Sequence, residues 1–383
     1  MKDSNLTITL LPEFGWSIHG TPVYGPNSCF SGEIQLKLSK PIKIDRVRLV
    51  FQGVESLPPF DVSPGVVRGK KSALFGVQQT LWESKDGSPM LDANTSNYSF
   101  TLQLPNVQYP PSVRNDYYTC NYKLIAVAEL QSQDGSYETI FINEEPVLYM
   151  PYVETRPLKQ PSLVQQQQQQ SDLTVFTKFQ SFDYVIGDSI LGSIQVDSFI
   201  NGNNNQNVSA LMKKSIEVSL RVYQTTKNLL FDDVTGSTCL VAYNNYKLYP
   251  VSTTTVDKKR SKLTYSSNIE LDLPFDLTPT FTYSSLASMT YKLCISVKRK
   301  GPLSMWADEV NMEYPLTVGT LGYGVRSSPD LQVYTLVDKS IVRPTFMKSL
   351  EYEDALPVYT SDKLPTYNDV STTKILTTLV NPI

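Results

Sequence analysis

Polar and apolar residues alternate along most of this chain, and this period of two constrains its fold more than any other feature. Residues 5–10, 30–38 and 41–51 alternate in this way, and their charged residues fall on a single parity. Successive side chains of a β-strand point to opposite faces, so one face meets water and the other packs in a core. Further alternating segments follow at 98–105, 118–130 and 137–149. Because no long helical period competes, we predict an all-β protein built from β-sandwiches.

The same succession of short motifs occurs twice. Each half has a glycine–acid pair that opens a strand, a Val-x-Leu strand, a strand that closes on Leu-Pro, and a Tyr-Lys-Leu strand. The copies begin, in order, at Gly32, Val47, Leu104 and Tyr122, and again at Gly187, Val218, Leu273 and Tyr291. Since the order is the same and the spacings are similar, we predict two related sandwiches in tandem.

Two segments interrupt the alternation. Residues 57–79 are rich in Pro, Gly, Ser and charge, which predicts a long loop, with a short helix as an option over 66–75. Six glutamines at 165–170 cannot bury enough apolar surface to offset their ordering entropy, so we predict a linker. The predicted organisation is a sandwich at 1–158, a Gln-rich linker at 159–171, a second sandwich at 172–325 and a flexible tail at 326–383. Docking of residues 331–336 and 340–346 is the alternative to disorder in the first part of this tail.

Composition excludes several classes of protein. The formal net charge of -3 argues against a general nucleic-acid binder, which needs a strong basic excess. No run approaches the roughly 18 apolar residues of a membrane-spanning helix, and the first residues lack the apolar block of a signal peptide. We therefore expect a cytoplasmic protein.

Residues that usually carry metal binding and acid–base catalysis are scarce. Cys29, Cys120, Cys239 and Cys294 are far apart in sequence, which predicts small buried thiols and no metal site. His19 is the only histidine and adjoins no nucleophile motif. We predict no cofactor and no enzyme activity. The count of 37 acidic residues does not by itself exclude a pair of catalytic carboxylates such as glycosidases use.

Two copies of one pattern lie eight residues apart near the C-terminus. They are Leu356-Pro357-Val358-Tyr359 and Leu364-Pro365-Thr366-Tyr367. Proline fixes its own φ and biases the preceding residue towards extended backbone, so each copy favours polyproline II. An aromatic-lined groove could hold the Pro and Tyr rings together. Taken alone, the pattern fits chance matches in a disordered tail equally well.

Taken in order, these motifs resemble the arrestin family. The motifs of the first half are Gly32-Glu33-Ile34, the 47–53 strand, and Leu104-Pro105 before Tyr109-Pro110-Pro111-Ser112. Those of the second half are Ile186-Gly187-Asp188, the 216–224 strand, Leu273-Pro274-Phe275, Tyr291-Lys292-Leu293 and the closing strand at 314–320. With the Leu-Pro-x-Tyr tail, residues 5–370 are similar to the fungal α-arrestins, or arrestin-related trafficking adaptors.

This resemblance implies two immunoglobulin-like sandwiches and an adaptor function. The sandwiches would recognise a plasma-membrane transporter or receptor, while the tail binds WW domains of a HECT-type ubiquitin ligase. The cargo is then ubiquitinated and internalised, so the protein would be recruited to the plasma membrane and endosomes. The ligase-binding residues implied are Leu356, Pro357, Tyr359, Leu364, Pro365 and Tyr367.

Two departures from the family pattern limit what the resemblance implies. The family's tail motif begins with Pro-Pro, and each copy here begins with Leu, which removes one preset φ and predicts weaker binding per copy. No residues match the buried charged cluster of visual and β-arrestins, so a phosphate-triggered switch is not supported.

Two basic runs mark a second candidate surface. They contain Lys258, Lys259, Arg260 and Lys262, and Lys298, Arg299 and Lys300. Such clusters attract anionic inner-leaflet lipids or acidic cargo tails, or they are solvated loops without a partner.

Two other functions stay open from the sequence. One is an endosomal sorting subunit similar to the retromer's arrestin-like component, acting without a ligase. The other is a β-sandwich enzyme or carbohydrate binder, which predicts a pocket with convergent acids or stacked aromatics.

Overall fold

A computed structural model describes residues 4–11, 17–18, 20–63, 66–84, 94–155, 164–170, 172–201, 212–230, 236–257, 260–299 and 309–347. These residues form β-strands and contain no helix, and hence none long and apolar enough to cross a membrane. The strands of the first half are β1 (Asn5–Leu10), β2 (Ser17–Ile18), β3 (Thr21–Tyr24), β4 (Cys29–Lys37), β5 (Arg46–Ser63), β6 (Val66–Glu83), β7 (Thr95–Gln103), β8 (Val107–Gln108), β9 (Val113–Arg114), β10 (Thr119–Gln131) and β11 (Tyr137–Tyr149). Those of the second half are β12 (Val164–Gln170), β13 (Leu173–Phe179), β14 (Asp183–Val185), β15 (Ser189–Asn201), β16 (Ile216–Asn228), β17 (Ser237–Leu248), β18 (Ser252–Asp257), β19 (Arg260–Asp272), β20 (Ala287–Arg299), β21 (Glu309–Gly319), β22 (Gln332–Val333) and β23 (Thr345–Met347).

Two β-sandwiches follow one another, which confirms the predicted fold class. The first contains the sheets β1-β4-β7-β23 and β2-β3-β11-β10-β5-β6, and the second contains β12-β13-β15-β19-β18 and β14-β21-β20-β16-β17. The order β1-β4-β7 is repeated as β13-β15-β19, and β3-β11-β10-β5-β6 is repeated as β14-β21-β20-β16-β17. In each sandwich the short third strand also pairs in parallel with the strand that closes the sandwich, β3 with β11 and β14 with β21. The topology is therefore duplicated.

The Tyr-Lys-Leu motif has the same role in both sandwiches. The Tyr122 hydroxyl donates to the carbonyl of Pro110, 12 residues earlier, and the Tyr291 hydroxyl donates to that of Thr278, 13 residues earlier. The lysine that follows each tyrosine pairs with a glutamate 21 residues later on the neighbouring strand, and the leucine is fully buried. Each motif thus fixes a loop over the core, as the tyrosine corner of other sandwiches does.

The glycine of the opening strand has a different counterpart from the one predicted. Gly32 lies opposite Leu10, and Gly192, not Gly187, occupies the same position opposite Phe179. A Cβ on Gly32 would lie 2.5 Å from the Phe100 ring, and one on Gly192 would lie 2.7 Å from the Phe179 ring. Both positions therefore need glycine because an aromatic ring of the core packs directly on the backbone.

Gly187 instead forms the turn before β15. Its φ is +85°, and the carboxylate of Asp188 accepts from the N–H of Val185. In the corresponding turn of the first sandwich, Asn27 has a φ of 60°. The hydroxyl of the next residue, Ser28, accepts from the N–H of Gly25, three residues earlier, as Asp188 does from Val185. Asparagine tolerates the left-handed region better than other non-glycine residues, so the turn is kept without the glycine.

The core follows from the alternation. Along β4 exposed and buried positions alternate, and Phe30, Ile34 and Leu36 have no solvent exposure. Burial of an aliphatic or aromatic side chain of this size contributes about 1.5–3 kcal/mol each. The Phe30 ring meets Phe51 of the facing sheet edge to face, at a centroid distance of 5.8 Å. The two sheets are held together by these inward side chains.

The predicted loop over 57–79 is wrong, as is the optional helix at 66–75. This part of the chain forms β5 and β6, which pair as a hairpin with register shifts at four places. On β6 the neighbouring residues Leu74 and Phe75 are both buried, whereas a regular strand would bury only one of them. Each bulge exchanges the inward-facing and outward-facing positions along the strand, so the sequence of β6 does not alternate regularly between polar and apolar residues.

The glutamine segment forms a strand instead of the expected linker. Gln165 to Gln170 lie within β12, which pairs antiparallel with β13 along its whole length. The second sandwich therefore begins before residue 172.

After β21 the chain returns to the first sandwich. β22 pairs in parallel with β8, and β23 pairs antiparallel with β7. Residues up to Met347 belong to the same compact unit as the sandwiches, so the tail begins later than the predicted residue 326. The alternative of docking at 331–336 and 340–346 is confirmed by the pairing of β22 and β23.

Among the four cysteines, only one is the buried thiol that we expected. Cys120 is buried, Cys294 is half-buried, and Cys29 and Cys239 are exposed. His19 lies outside the described residues.

Candidate functional site

The two tail motifs lie outside the described residues. These are Leu356, Pro357 and Tyr359, and Leu364, Pro365 and Tyr367. The prediction that they bind a ligase therefore rests on the sequence.

The two basic runs meet at one end of the second sandwich. Lys262 of β19 lies opposite Phe199 of β15, and the Arg299 guanidinium at the end of β20 donates to the Phe199 carbonyl at 3.1 Å. Arg260 is exposed on β19, two residues before Lys262. Lys258, Lys259 and Lys300 lie outside the described residues. Residues 36 or more positions apart in sequence are thus brought together, as the surface interpretation requires.

Acidic partners offset much of the charge at this end. Lys262 pairs with the buried carboxylate of Asp197 at 2.8 Å, and Lys298 pairs with Glu309 at 2.9 Å. A hydrogen bond from the Ser296 hydroxyl, reinforced by Lys298, lowers the pKa of Glu309 below its ordinary value. Arg299 donates to the backbone carbonyl of Asp172. This end is therefore a network of ion pairs with cations at its rim, and its positive charge is smaller than the sequence suggested.

A second site lies between the sandwiches and was missed by the sequence reasoning. It is centred on Glu55 of β5, whose side chain has no solvent exposure. One carboxylate oxygen accepts from the hydroxyls of Tyr118 at 3.0 Å and Ser284 at 2.7 Å. The other accepts from Ser285 at 2.9 Å and Tyr334 at 2.8 Å. We call these five residues the Glu55 cluster.

The Glu55 cluster joins three parts of the chain. Glu55 and Tyr118 belong to the first sandwich, Ser284 and Ser285 precede β20 of the second, and Tyr334 follows β22 in the returning segment. Among the described residues Glu55 forms no ion pair, so hydroxyl donors alone satisfy its oxygens. A buried carboxylate costs several kcal/mol unless it is hydrogen-bonded in this way.

The tyrosines of the cluster are held as donors. Burial raises the pKa of Tyr334 to about 12. Burial also raises the pKa of Tyr118 far above its ordinary value, and the nearby Cys120 and Glu55 groups act in the same direction. Both hydroxyls therefore keep their protons at neutral pH and can donate to the carboxylate.

Aromatic rings surround the cluster and cross the junction. The Tyr118 ring lies 5.8 Å from that of Phe281, and the Tyr109 ring lies 5.9 Å from that of Tyr334. The Tyr283 hydroxyl of the second sandwich donates to the Tyr109 carbonyl of the first at 3.0 Å. The junction is therefore packed as a core, with polar groups that fix its geometry.

One signal in the sequence could have located Glu55. Val47, Leu49, Phe51 and Gly53 of β5 are buried at alternate positions, and Glu55 is the next residue on the same parity. A carboxylate at an inward position demands partners, but the sequence does not say which residues supply them.

A second set of contacts ties the chain that leaves the first sandwich to the chain that leaves the second. The Thr320 hydroxyl donates to the Pro151 carbonyl at 2.7 Å, and the Thr155 hydroxyl donates to the Leu321 carbonyl at 2.8 Å. Glu154 accepts from Ser327 and pairs with Arg326 at 2.9 Å. The hydrogen bonds from the Ser327 hydroxyl and N–H, with those from Arg326, lower the pKa of Glu154 to about 2.

The described surface also has a groove of about 610 Å³ on the second sandwich. Lys178, Leu191, Tyr246 and Glu270 contribute to its walls. The Tyr246 hydroxyl is already bonded to the Glu270 backbone. Within this groove the described lining supplies one carboxylate, so it does not show the pair of acids that a glycosidase requires.

In the comparisons with known proteins, no protein-family model matches this chain, and no curated protein matches it either.

Proposed function

We propose that this protein is an adaptor that recruits a WW-domain HECT-type ubiquitin ligase to plasma-membrane transporters or receptors. The tandem sandwiches bind the cargo, and the Leu-Pro-x-Tyr tail binds the ligase. Ubiquitination and endocytosis of the cargo follow. The protein acts in the cytoplasm and is recruited to the plasma membrane and endosomes.

The paired tail motif is the observation that carries this proposal. Tyr359 and Tyr367 each follow a proline by two positions, so each copy offers a proline ring and a tyrosine ring within one turn of extended chain to an aromatic-lined groove. Two weak motifs on one chain raise the effective concentration at a ligase with several WW domains. The duplicated sandwich, which ends before these motifs, supports the proposal through the resemblance to α-arrestins.

The basic end of the second sandwich supports a peripheral contact with an acidic surface. Lys262 and Lys298 are held by Asp197 and Glu309 but keep 32% and 51% of their side chains exposed. An anionic lipid or an acidic cargo tail would meet these rim cations together with Arg260. The contact is expected to be weak and sensitive to salt, because the paired acids lower the net charge.

Ligase capture by the full chain tests the proposal. We expect Tyr359→Ala or Tyr367→Ala to reduce the binding of a recombinant WW-domain array, and the double variant to abolish it. Tyr352→Ala is the matched control, since it removes a tail tyrosine outside both motifs. Binding is measured by titration with the purified array.

Unchanged affinity in the double variant would sink the tail mechanism. Stable co-purification with endosomal coat subunits, independent of both tyrosines, would then favour the sorting-subunit alternative. Cargo ubiquitination in cells that carry the double variant separates the two, since only the adaptor function requires the ligase.

A further inference from the structure

The glutamine strand β12 is the outermost strand of its sheet. It pairs with β13 over seven consecutive residues, from Val164 opposite Phe179 to Gln170 opposite Leu173, without a register shift. The other side of β12 has no strand partner among the described residues. An edge of this kind presents a row of unpaired backbone donors and acceptors, which is a template for another strand.

The opposite edge of the same sheet is protected. β18 has six residues, its register with β19 shifts between Thr255 and Asp257, and Asp257 adds a charge. A short strand, a bulge and a charge are the usual features that prevent edge-to-edge pairing. The β18 edge of this sheet is therefore protected against pairing with a strand of another molecule.

Other edges of the described sandwiches are also covered. On β17 the Asn244 side chain accepts from the N–H of Asn245 and donates to the Glu270 carbonyl, which ties the strand to β19. On β1 the N–H of Ile8 donates to the Asn143 side chain. β6 carries the exposed Lys70 and Lys71. Each of these three edges has either a side-chain cap or charge, and the edge strands β2, β14 and β23 have only two or three residues each.

β12 has none of the sequence features that protect an edge. Its seven residues are one valine and six glutamines, with no charge and no proline. An uncharged glutamine sequence in a regular strand is typical of segments that pair with identical segments of other molecules.

We infer that β12 is a self-association surface, and that its partner is β12 of a second copy of this chain. The two strands run antiparallel about a twofold axis and join the two five-stranded sheets into one of ten strands. A second copy fits because a glutamine tract is complementary to itself. In the antiparallel register centred on Gln167, five of the seven cross-strand pairs join two glutamines and no like charges meet.

The dimensions of this surface indicate a weak dimer. Seven residues at about 3.3 Å each give a seam of about 23 Å. A single pair of strands of this length buries less area than the roughly 1,200–2,000 Å² of a stable complex. The dimer is therefore expected to form in the micromolar range and to depend on protein concentration.

Sedimentation equilibrium on the full chain tests this inference. The native protein is expected to shift from monomer to dimer between about 1 and 300 μM, the range that corresponds to a weak complex. The paired change Gln166→Lys and Gln168→Lys places lysines of one copy near those of the other, so the dissociation constant should rise about tenfold or more. The matched control is Thr254→Lys with Val256→Lys, which adds the same charge at exposed positions of β18 on the opposite edge. This control should dimerise as the native chain does.

A second measurement avoids dependence on the folding of the lysine variant. A photo-crosslinking amino acid at position 168 should join isotopically labelled and unlabelled copies through residues 164–170 of the second copy. The inference is overturned if the native protein stays monomeric up to 300 μM, if both lysine pairs weaken the dimer equally, or if the crosslink maps elsewhere. Binding of a free polyglutamine peptide without self-association would also overturn it, since it would assign this edge to a different partner.

Discussion

At the scale of single residues, the most demanding position is Glu55. A carboxylate with no solvent exposure and no ion pair among the described residues is accommodated by hydroxyl groups from three parts of the chain. Hydrogen bonds to a charged group are each worth about 1.5–3 kcal/mol, which is enough in sum to offset its desolvation. The hydrogen bonds of Glu55 therefore form only when the two sandwiches and the returning segment are packed together.

Removal of the Glu55 carboxylate should destabilise the protein. Glu55→Ala leaves four hydroxyls without their acceptor, three of them on the buried residues Tyr118, Ser284 and Tyr334, and creates a cavity. We therefore expect a loss of about 3 kcal/mol or more in the free energy of unfolding. Glu55→Gln keeps one acceptor, and the hydroxyls can rotate to accept from its amide, so the expected loss is about 1 kcal/mol. Urea denaturation measures both.

Glu313→Ala is the control for this series. Glu313 is 60% exposed and pairs with Lys292 on the surface, so its removal should change stability by less than about 1 kcal/mol. If Glu55→Ala were no more destabilising than this control, the Glu55 cluster would not hold the junction.

At the scale of elements, alternation located the central strands, because one face of each is buried. β1, β4, β10, β11 and β16 were predicted within a few residues of their observed bounds. β6 was missed because bulges shift its parity, and β12 was missed because a homopolymer has no period. The Glu55 cluster could not be predicted, since its donors are brought together only when β5 meets the loop before β20 and the returning segment.

The returning segment is an integral part of the first sandwich. Tyr334 is 1% exposed, Phe346 packs against the core opposite Leu102, and β23 adds a strand to the sheet of β7. A chain that ends at Arg326 loses these contacts, so its free energy of unfolding should fall by about 3–5 kcal/mol, the cost of deleting a large buried side chain. A chain that ends at Met347 keeps them and should match the native protein in urea denaturation.

These two truncations distinguish the observed boundary from the one predicted from sequence. If residues 326–347 belonged to the tail, both truncated chains would be equally stable. Equal stability would therefore contradict the assignment of this segment to the first sandwich.

At the scale of the whole molecule, the described residues join the two sandwiches at two places. The Glu55 cluster lies at one, and the contacts of Glu154 and Thr320 lie at the other. The hydrogen bonds of Glu154 bring the residues after β21 against the residues after β11, so they fix where the chain enters the returning segment. The stabilisation from this second junction should depend on pH, because its hydrogen bonds and Arg326 lower the pKa of the Glu154 carboxyl to about 2.

The pH dependence of stability should carry a contribution from Glu154. The pKa of its carboxyl in the folded chain is about 2, below the ordinary value of 4.5, so the folded state favours the ionised form. This stabilisation is fully present above pH 4.5 and is lost as the pH falls towards 2. We expect Glu154→Gln to lower the melting temperature at pH 6, and the difference from the native protein to narrow between pH 4.5 and 2.

Other carboxylates, including Glu309, are present in both proteins, so their titration cancels in this difference. Glu138→Gln, at an exposed position of β11, is the control and should change the melting temperature at pH 6 less than Glu154→Gln does. A gap for Glu154→Gln that is constant from pH 6 to pH 2 would show that the charge of Glu154 does not stabilise this junction.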